Sequence, residues 1–486
     1  MKSLSVSDFR KQVLSGSVSV LEHTARILAE AQKSNKKFNH FCLISEKEAL
    51  AQAAELDQKI KKNPTEFKNS LLLGVPLSVK DSIVVKGVES RAGSRILSGY
   101  VPLFDATAVA RAKAAGAIVI GKTSQDEFGF GSYSVNVGLG FETPKNPFDA
   151  LRTTGGSSGG SAGFSALTRF SHVSFAESTG GSAAFPASLC GCAAITPTYG
   201  RISRNGLIDF GNSLDKISPM GKTIEDCAIL LQAAAGLDPA DSTSADVPIE
   251  SFASFAGRPL MGLRVGVMKE FSKKGIESSV QKVFEKAVDS LALRGAKLSE
   301  VSLPLNNEYS IPAYYLIATS EVSTNLARFC GMRYGAAEPL QGGFDEYFSK
   351  VRSKHFGEEA KRRLLLGTFA RMSGYRDAYY LRALKVRAKL IAEFQSVFKK
   401  VDVLVSPAAS SVAPAFEEIK KWSPLQHYYA DRCVNPSNVS GLPHASVNIG
   451  DVKGLPVGML LVANHWNESK LIQAGSAVEK PVENLP

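Results

Sequence analysis

The chain has 486 residues and a formal net charge of +11, with 44% of its residues hydrophobic and 21% charged. This composition is ordinary for a globular protein and excludes a low-complexity chain. No apolar run approaches the roughly 20 residues that span a membrane, and the N-terminal sequence MKSLSVSDFRKQ lacks the apolar core of a signal peptide. We therefore expect a cytoplasmic protein that is not bound to a membrane.

The cysteine, histidine and basic residues give further information about disulfides, metal sites and charged partners. The six cysteines are scattered, which suits reduced thiols better than a disulfide framework. The seven histidines are isolated and no CxxC or HExxH pattern occurs, so we expect no metal site. The positive charge favours an anionic partner, but the basic residues are dispersed in short groups, which is typical of solvated faces.

The first 65 residues are predicted to be helical. Residues 18–31 carry apolar side chains at helical spacing, and Ser45 with Glu48 fits a capping box before a further helix. From about residue 71, short apolar runs alternate with helical segments, which predicts a layered α/β fold. The predicted strands are 117–121, 173–176, 263–268 and 401–407, the predicted helices are 105–116, 279–295 and 377–400, and 407–416 is the clearest loop.

Residues 116–123, GAIVIGKT, satisfy the P-loop expression GxxxxGK[ST]. A P-loop needs a flexible phosphate-binding loop between its glycines. Here the intervening residues are AIVI, which form the predicted strand itself and leave no room for such a loop. We interpret this segment as a core strand and not as a nucleotide site.

Two glycine–serine clusters follow, GGSSGGS at 155–161 and TGGS at 179–182. Glycine lets a ligand approach the main chain closely and serine supplies hydroxyl groups, so the pair suggests a nucleophile, a proton relay and a cradle of backbone N–H groups. A flexible linker is the alternative, but apolar residues at 173–176 and 183–195 flank the second cluster. His172 is the one histidine near the clusters, which makes a Ser–His–Asp triad an unfavoured interpretation.

Together with an upstream block at 71–94 and further blocks at 185–207 and 213–231, these clusters resemble the amidase signature family. The similarity extends over roughly residues 5–470. It implies an α/β fold with a single amidase-signature domain, built on a large central mixed β-sheet flanked by helices. That domain would span residues 66–486, with its catalytic motifs in 71–231, and the helical segment 1–65 would pack on it.

The resemblance also implies a Ser–Ser–Lys triad. Ser182 would be the nucleophile, Ser157 the proton relay after a cis peptide bond from Gly156, and Lys80 the base. Lysine is a base only when neutral, and burial disfavours its charged form; the alternative is that the Lys80 ammonium pairs with Asp81. The oxyanion hole would come from the backbone N–H groups of the second cluster, which are those of Thr179, Gly180, Gly181 and the nucleophile itself.

The second half is similar to the A subunits of tRNA-dependent amidotransferases, at 313–335, 361–387 and 424–450. This similarity implies a glutaminase that passes ammonia to partner subunits, named B and C. The partners would hold Glu-tRNA(Gln) or Asp-tRNA(Asn) and use ATP and Mg²⁺, with no cofactor in this chain. Tyr314, Arg363 and Asp431 would bind glutamine, although Arg363 could instead be a surface charge on a helix.

The chain departs from the family pattern next to the predicted nucleophile. The usual DTGGSIRxPA reads STGGSAAFPA, so Ser178 replaces an aspartate and Ala184 an arginine. Because one charge of each sign is lost, we interpret the pair as compensating. Two other functions stay open at this point: a stand-alone amidase for small or acyl amides, and a catalytically weakened scaffold subunit.

Overall fold

A computed structural model describes residues 4–481, and its centre is one mixed β-sheet. The sheet has eleven strands in the order β1-β3-β2-β4-β6-β5-β10-β11-β9-β7-β8. The strands are β1 Phe41–Ile44, β2 Pro76–Lys80, β3 Ile118–Thr123, β4 Val173–Ser178, β5 Ala193–Thr196, β6 Lys216–Gly221, β7 Arg264–Met268, β8 Lys297–Val301, β9 Val403–Pro407, β10 His444–Val452 and β11 Leu455–Ala463. The predicted fold class is confirmed.

Helices cover both faces of the sheet. They are α1 Val6–Leu14, α2 Val20–Phe38, α3 Glu46–Lys62, α4 Thr107–Ala114, α5 Gly159–Leu167, α6 Ala184–Cys190, α7 Ile224–Ala234, α8 Lys269–Ser272, α9 Ser278–Leu293, α10 Pro304–Asn325, α11 Phe344–His355, α12 Glu358–Arg371, α13 Arg382–Phe398, α14 Phe416–Ile419, α15 Pro424–Tyr428, α16 Asn435–Val439 and α17 Glu468–Val478. In the described part of the chain, no helix has the length and apolar character that a membrane crossing requires.

The N-terminal segment is not wholly helical. Strand β1 lies within it and pairs antiparallel with β3, at the edge of the sheet. The predicted capping box at Ser45 is wrong, because the Ser45 side chain makes no capping hydrogen bond to α3. Ser45 is buried against the sheet instead, and its backbone N–H donates to the carbonyl oxygen of Ile120 at 2.9 Å. The boundary at residue 65 between this segment and the predicted amidase-signature domain stays a prediction.

The predicted strands and helices lie within a few residues of the observed ones. The segment with the P-loop expression is β3, in which all six residues are buried, so its interpretation as a core strand is confirmed. The six cysteines are all free in this structure.

The glycine–serine clusters lie at the carboxyl ends of strands β2 and β4. The two strands are parallel neighbours, with Leu77 opposite Val173, so their carboxyl ends meet where α5 and α6 begin. The linker alternative is wrong because both helices are packed into the protein interior. At Gly160, a Cβ atom would lie 2.3 Å from the carbonyl oxygen of His40. Glycine is required here by close packing and not by flexibility.

Candidate active site

Lys80 and Ser157 are brought into direct contact at the end of β2. The Lys80 Nζ donates to Ser157 Oγ at 2.7 Å, and both side chains are fully buried. The peptide bond between Gly156 and Ser157 is cis. The predicted alternative, an ion pair with Asp81, is wrong: Lys80 instead pairs with Glu177 on β4, at 2.8 Å. The Asp81 carboxylate faces Lys122 at 3.8 Å.

Ser182 lies on the loop between β4 and α6, beside the Ser157 loop. The backbone N–H of Ser158 donates to the Ser182 carbonyl oxygen at 3.2 Å and so joins the two clusters. As whole residues, Ser182 is 6% exposed, whereas Lys80 and Ser157 are 0% exposed. Of these three residues, Ser182 is therefore the one that reaches the accessible surface.

The loop 179–182 carries unused hydrogen-bond donors. Within residues 4–481, none of its four backbone N–H groups donates to a protein acceptor. Unpaired buried N–H groups are rare in folded proteins because each loses its hydrogen bond to water. A row of such donors beside a serine is the arrangement that stabilises a developing oxyanion.

Two of the predicted pocket residues pack directly against this loop. A Cβ atom at Gly180 would lie 2.6 Å from Cζ of Tyr314 on α10. A Cβ atom at Gly181 would lie 2.2 Å from Cγ2 of Val434 and 3.6 Å from Cβ of Asp431. The two glycines therefore let Tyr314 and Asp431 approach the main chain beside the predicted nucleophile.

Arg363 lies on α12 and is buried, so its interpretation as a surface charge is wrong. Its Nε donates to Glu359 Oε1 at 2.8 Å. Four aromatic rings surround its guanidinium, with centroids 5.2 to 5.7 Å from Cζ: Phe130, Phe210, Tyr315 and Tyr428. Aromatic faces stabilise a cation where water is excluded. A fixed cation therefore lies among aromatic side chains at this site.

Asp431 is the matching anionic group. Its Oδ1 is buried and accepts no hydrogen bond from the described residues. Burial raises the pKa of the Asp431 carboxyl to about 7, against the opposing effect of the Arg363 guanidinium. A buried carboxylate oxygen without a donor is unfavourable unless a ligand supplies one. The site is therefore suited to a ligand that carries a cationic hydrogen-bond donor.

A cavity of about 150 Å³ opens beside Arg363, and its size restricts its occupant to a small molecule. Its lining includes Gly131, Ser132, Tyr315, Glu359, Arg363 and Tyr428. In residues 4–481, no three or more histidine, cysteine, aspartate or glutamate side chains are grouped so that they could hold a metal ion.

The two departures from the family pattern leave no unpaired charge. Ser178 is buried and donates through Oγ to Asn438 Oδ1 at 3.0 Å. Ala184 is fully buried in an apolar cluster with Phe185 and Leu189. Ser178 is hydrogen-bonded and Ala184 is packed among apolar side chains, so neither position holds a charge. This agrees with the loss of both members of the family's ion pair together.

Comparison with known sequences decides the family. The profile of the Amidase family matches residues 22–472. The chain belongs to the amidase family. Its relatives include the A subunit of the glutamyl-tRNA(Gln) amidotransferase of Roseiflexus sp. (strain RS-1), which is 40% identical over 99% of this chain and 96% of its own length. The protein of the same name from Heliobacterium modesticaldum is 42% identical over 92% of this chain and 91% of its own length.

Solved structures agree with this assignment. The A subunit of the glutamyl-tRNA(Gln) amidotransferase of Thermotoga maritima superimposes with a TM-score of 0.77 at 30% identity, covering 99% of this chain and 97% of that one. A peptide amidase from Stenotrophomonas maltophilia gives a TM-score of 0.81 at 27% identity, covering 99% and 98%. The chain is thus an amidase-family enzyme that is similar to the A subunits of amidotransferases over nearly its whole length.

The sequence did not single out three charged residues of this amidase site. Glu177 contacts Lys80, Glu359 pairs with Arg363, and Asp215 lies behind Thr179, whose hydroxyl is 2.8 Å from Asp215 Oδ1. The sequence feature that could have indicated such a residue is a single charge within an apolar run, as in VSFAES for Glu177. Such a residue is rarely buried without a partner.

Proposed function

We propose that this amidase-family chain is the glutaminase subunit of a tRNA-dependent amidotransferase. The observation that carries the proposal is a pair of buried groups of opposite charge, Arg363 and Asp431, which interact electrostatically. Asp431 packs against the loop that holds Ser182. Free glutamine has an α-carboxylate and an α-ammonium, so its pocket needs one charge of each sign. Arginine can hold a carboxylate with two hydrogen bonds, while the unpaired Oδ1 of Asp431 suits the ammonium.

The chemistry follows from the contact between Lys80 and Ser157. Neutral Lys80 accepts the Ser157 proton, Ser157 accepts the Ser182 proton, and Ser182 Oγ bonds to the amide carbon of glutamine. The backbone N–H groups of Thr179, Gly180 and their neighbours stabilise the oxyanion that forms. The proton then returns through Ser157 to the leaving nitrogen, and ammonia departs from a glutamyl-enzyme that water hydrolyses.

The partners of the proposed reaction lie outside this chain. Ammonia would pass to subunits B and C, where ATP and Mg²⁺ support amidation of Glu-tRNA(Gln) or Asp-tRNA(Asn). The names of the relatives, which are A subunits of a multi-subunit enzyme, support this assignment. The stand-alone amidase remains the second candidate because a peptide amidase shares the fold.

The test compares Ser182→Ala with a matched serine variant. Ser165→Ala also removes a buried hydroxyl, one that has no hydrogen-bond partner in the described structure. We expect Ser182→Ala to reduce glutamine hydrolysis by the assembled enzyme by about 10⁴-fold or more, with amidation from added ammonium retained. Ser165→Ala should keep both activities. Turnover of glutamine by Ser182→Ala would exclude the nucleophile, and rapid hydrolysis of simple amides without partners would favour the stand-alone amidase.

A further inference from the structure

All three hydrogen-bonding positions of the Lys80 Nζ are occupied, and Glu177 takes two of them. Nζ lies 2.7 Å from Ser157 Oγ, 2.8 Å from Glu177 Oε2 and 3.2 Å from the Glu177 carbonyl oxygen. Carbonyl and carboxylate oxygens only accept hydrogen bonds. A neutral Lys80 therefore donates both of its N–H groups to Glu177, which leaves its lone pair directed at the Ser157 hydroxyl.

The Thr179 side chain connects Glu177 to a second carboxyl group. Its Oγ1 lies 2.6 Å from Glu177 Oε1 and 2.8 Å from Asp215 Oδ1. A hydroxyl has one proton to donate, so it can satisfy only one of two ionised carboxylates at once. The contact between Thr179 and the other carboxyl group is a hydrogen bond only if that carboxyl group carries a proton.

Of the two carboxyl groups, Asp215 is the one whose surroundings favour the protonated form. Burial raises the pKa of the Asp215 carboxyl well above its ordinary value, and the neighbouring Glu177 charge adds to the effect. The hydrogen bonds then run in one direction, from Asp215 to Thr179 and from Thr179 to Glu177. Glu177 then accepts hydrogen bonds from both Thr179 and Lys80.

We propose that Glu177 is a positioning residue for Lys80, held in place by Thr179 and Asp215. It aims the Lys80 lone pair at Ser157 and balances the ammonium formed during catalysis. This inference rests on the proposed function, in which Lys80 is the base.

The proton balance needs no further reactant. As Ser182 Oγ bonds to the substrate carbon, its proton moves to Ser157 and the Ser157 proton moves to the Lys80 lone pair. Lys80 becomes an ammonium 2.8 Å from a carboxylate oxygen, and Glu177 itself gains no proton. A fixed charge placed where charge develops stabilises the transition state more than the ground state. When the intermediate collapses, Lys80 returns the proton through Ser157 to the leaving nitrogen.

Other charged and titratable groups face this pair from the elements around it. Asp126 lies on the loop after β3 and Tyr314 on α10, and both interact electrostatically with the pair. Arg204 lies beyond Asp215. Because these groups are present in both wild-type and variant chains, a change in pH dependence on altering Glu177 alone reports the Glu177 charge.

The experiment measures how fast phenylmethanesulfonyl fluoride labels Ser182 in the full chain, as a function of pH. Glu177→Gln keeps the size and one acceptor but removes the charge. We expect labelling at pH 8 to slow by about 10–100-fold. The acidic limb of the pH profile should move to lower pH, because the Lys80 amine without the Glu177 anion holds a proton less strongly. In the assembled enzyme kcat for glutamine should fall by a similar factor, with KM within twofold.

Glu468→Gln is the matched control. Glu468 lies on α17 and is also buried in an ion pair, with Arg201 at 3.0 Å. Its loss should lower the thermal midpoint without moving the pH profile of labelling. Glu177→Asp, which keeps the charge but withdraws it from Lys80, should lie between wild type and Glu177→Gln in both rate and limb position.

The outcomes separate this inference from the proposed function. The role of Glu177 would be overturned if Glu177→Gln were labelled at the wild-type rate. It would also be overturned if labelling were slower but the acidic limb of the pH profile did not move. Either result would leave Ser182 as the nucleophile. If Glu177→Gln fails to fold, Glu177→Asp takes its place in the test. A wild-type labelling rate and a wild-type acidic limb in Glu177→Asp would overturn the role of Glu177. A wild-type chain that is labelled elsewhere than Ser182 would overturn the proposed function and this inference together.

Discussion

Replacing Asp431 by asparagine removes one charge from the proposed glutamine pocket and leaves its shape intact. Asp431 is buried and its Oδ1 has no donor in the described structure, so the substrate ammonium would supply its hydrogen bond. A hydrogen bond to a charged group contributes roughly 1.5–3 kcal/mol. That range converts to an increase in KM for glutamine of about 10- to 150-fold.

The assay uses two substrates that differ in one group. Glutaramate has the amide and the carboxylate of glutamine but lacks the α-ammonium, so Asp431→Asn should leave its KM within twofold. Hydrolysis is best measured at pH 8, because burial raises the Asp431 pKa to about 7 and the carboxylate is mostly ionised there. Amidation from added ammonium should match wild type, since the partner subunit performs that step.

Asp226→Asn provides the control. Burial also raises the pKa of this carboxyl, to about 6, but it lies on α7 and its Oδ1 accepts from the backbone N–H of Val6 at 2.8 Å. The variant should keep the wild-type KM for both substrates. If Asp431→Asn raises KM equally for glutamine and glutaramate, or for neither, the ammonium is not bound by Asp431 and the reasoning fails.

Three further predictions address the base, the loop and the pH dependence. Lys80→Arg and Lys80→Met should each lose at least about 10³-fold in glutamine hydrolysis, because neither side chain can accept the Ser157 proton; substantial activity in either would exclude Lys80 as the base. Gly180→Ala places a Cβ atom 2.6 Å from Tyr314 Cζ and should lower kcat/KM about 10–100-fold. In a double-mutant cycle, Gly180→Ala should lower kcat/KM less when Tyr314 is already alanine. Additive losses would mean that the contact between residues 180 and 314 is unimportant. The KM for glutamine should rise as the pH falls through about 7, since a protonated Asp431 cannot pair with an ammonium. Asp431→Asn should abolish that rise, and an equal rise in the variant would assign it to another group.

The local pattern of the chain was sufficient for much of the fold. Strand β3 and helices α9 and α13 were predicted because their side-chain periodicity follows directly from strand and helix geometry. Strand β1 was missed because it has four residues and lies between helices. The Ser45 capping box failed because the surroundings of Ser45 are set by β3, a distant segment.

The sequence by itself determined the family and the two glycine–serine clusters, because these features depend on residue type and order. Only the tertiary structure decided which charges meet. It places Glu177 against Lys80 across 97 positions of the chain, and it buries Arg363, which the sequence left open as a surface residue. A charged side chain is exposed, paired or buried according to what packs on it from elsewhere, and that packing is not encoded in the local pattern.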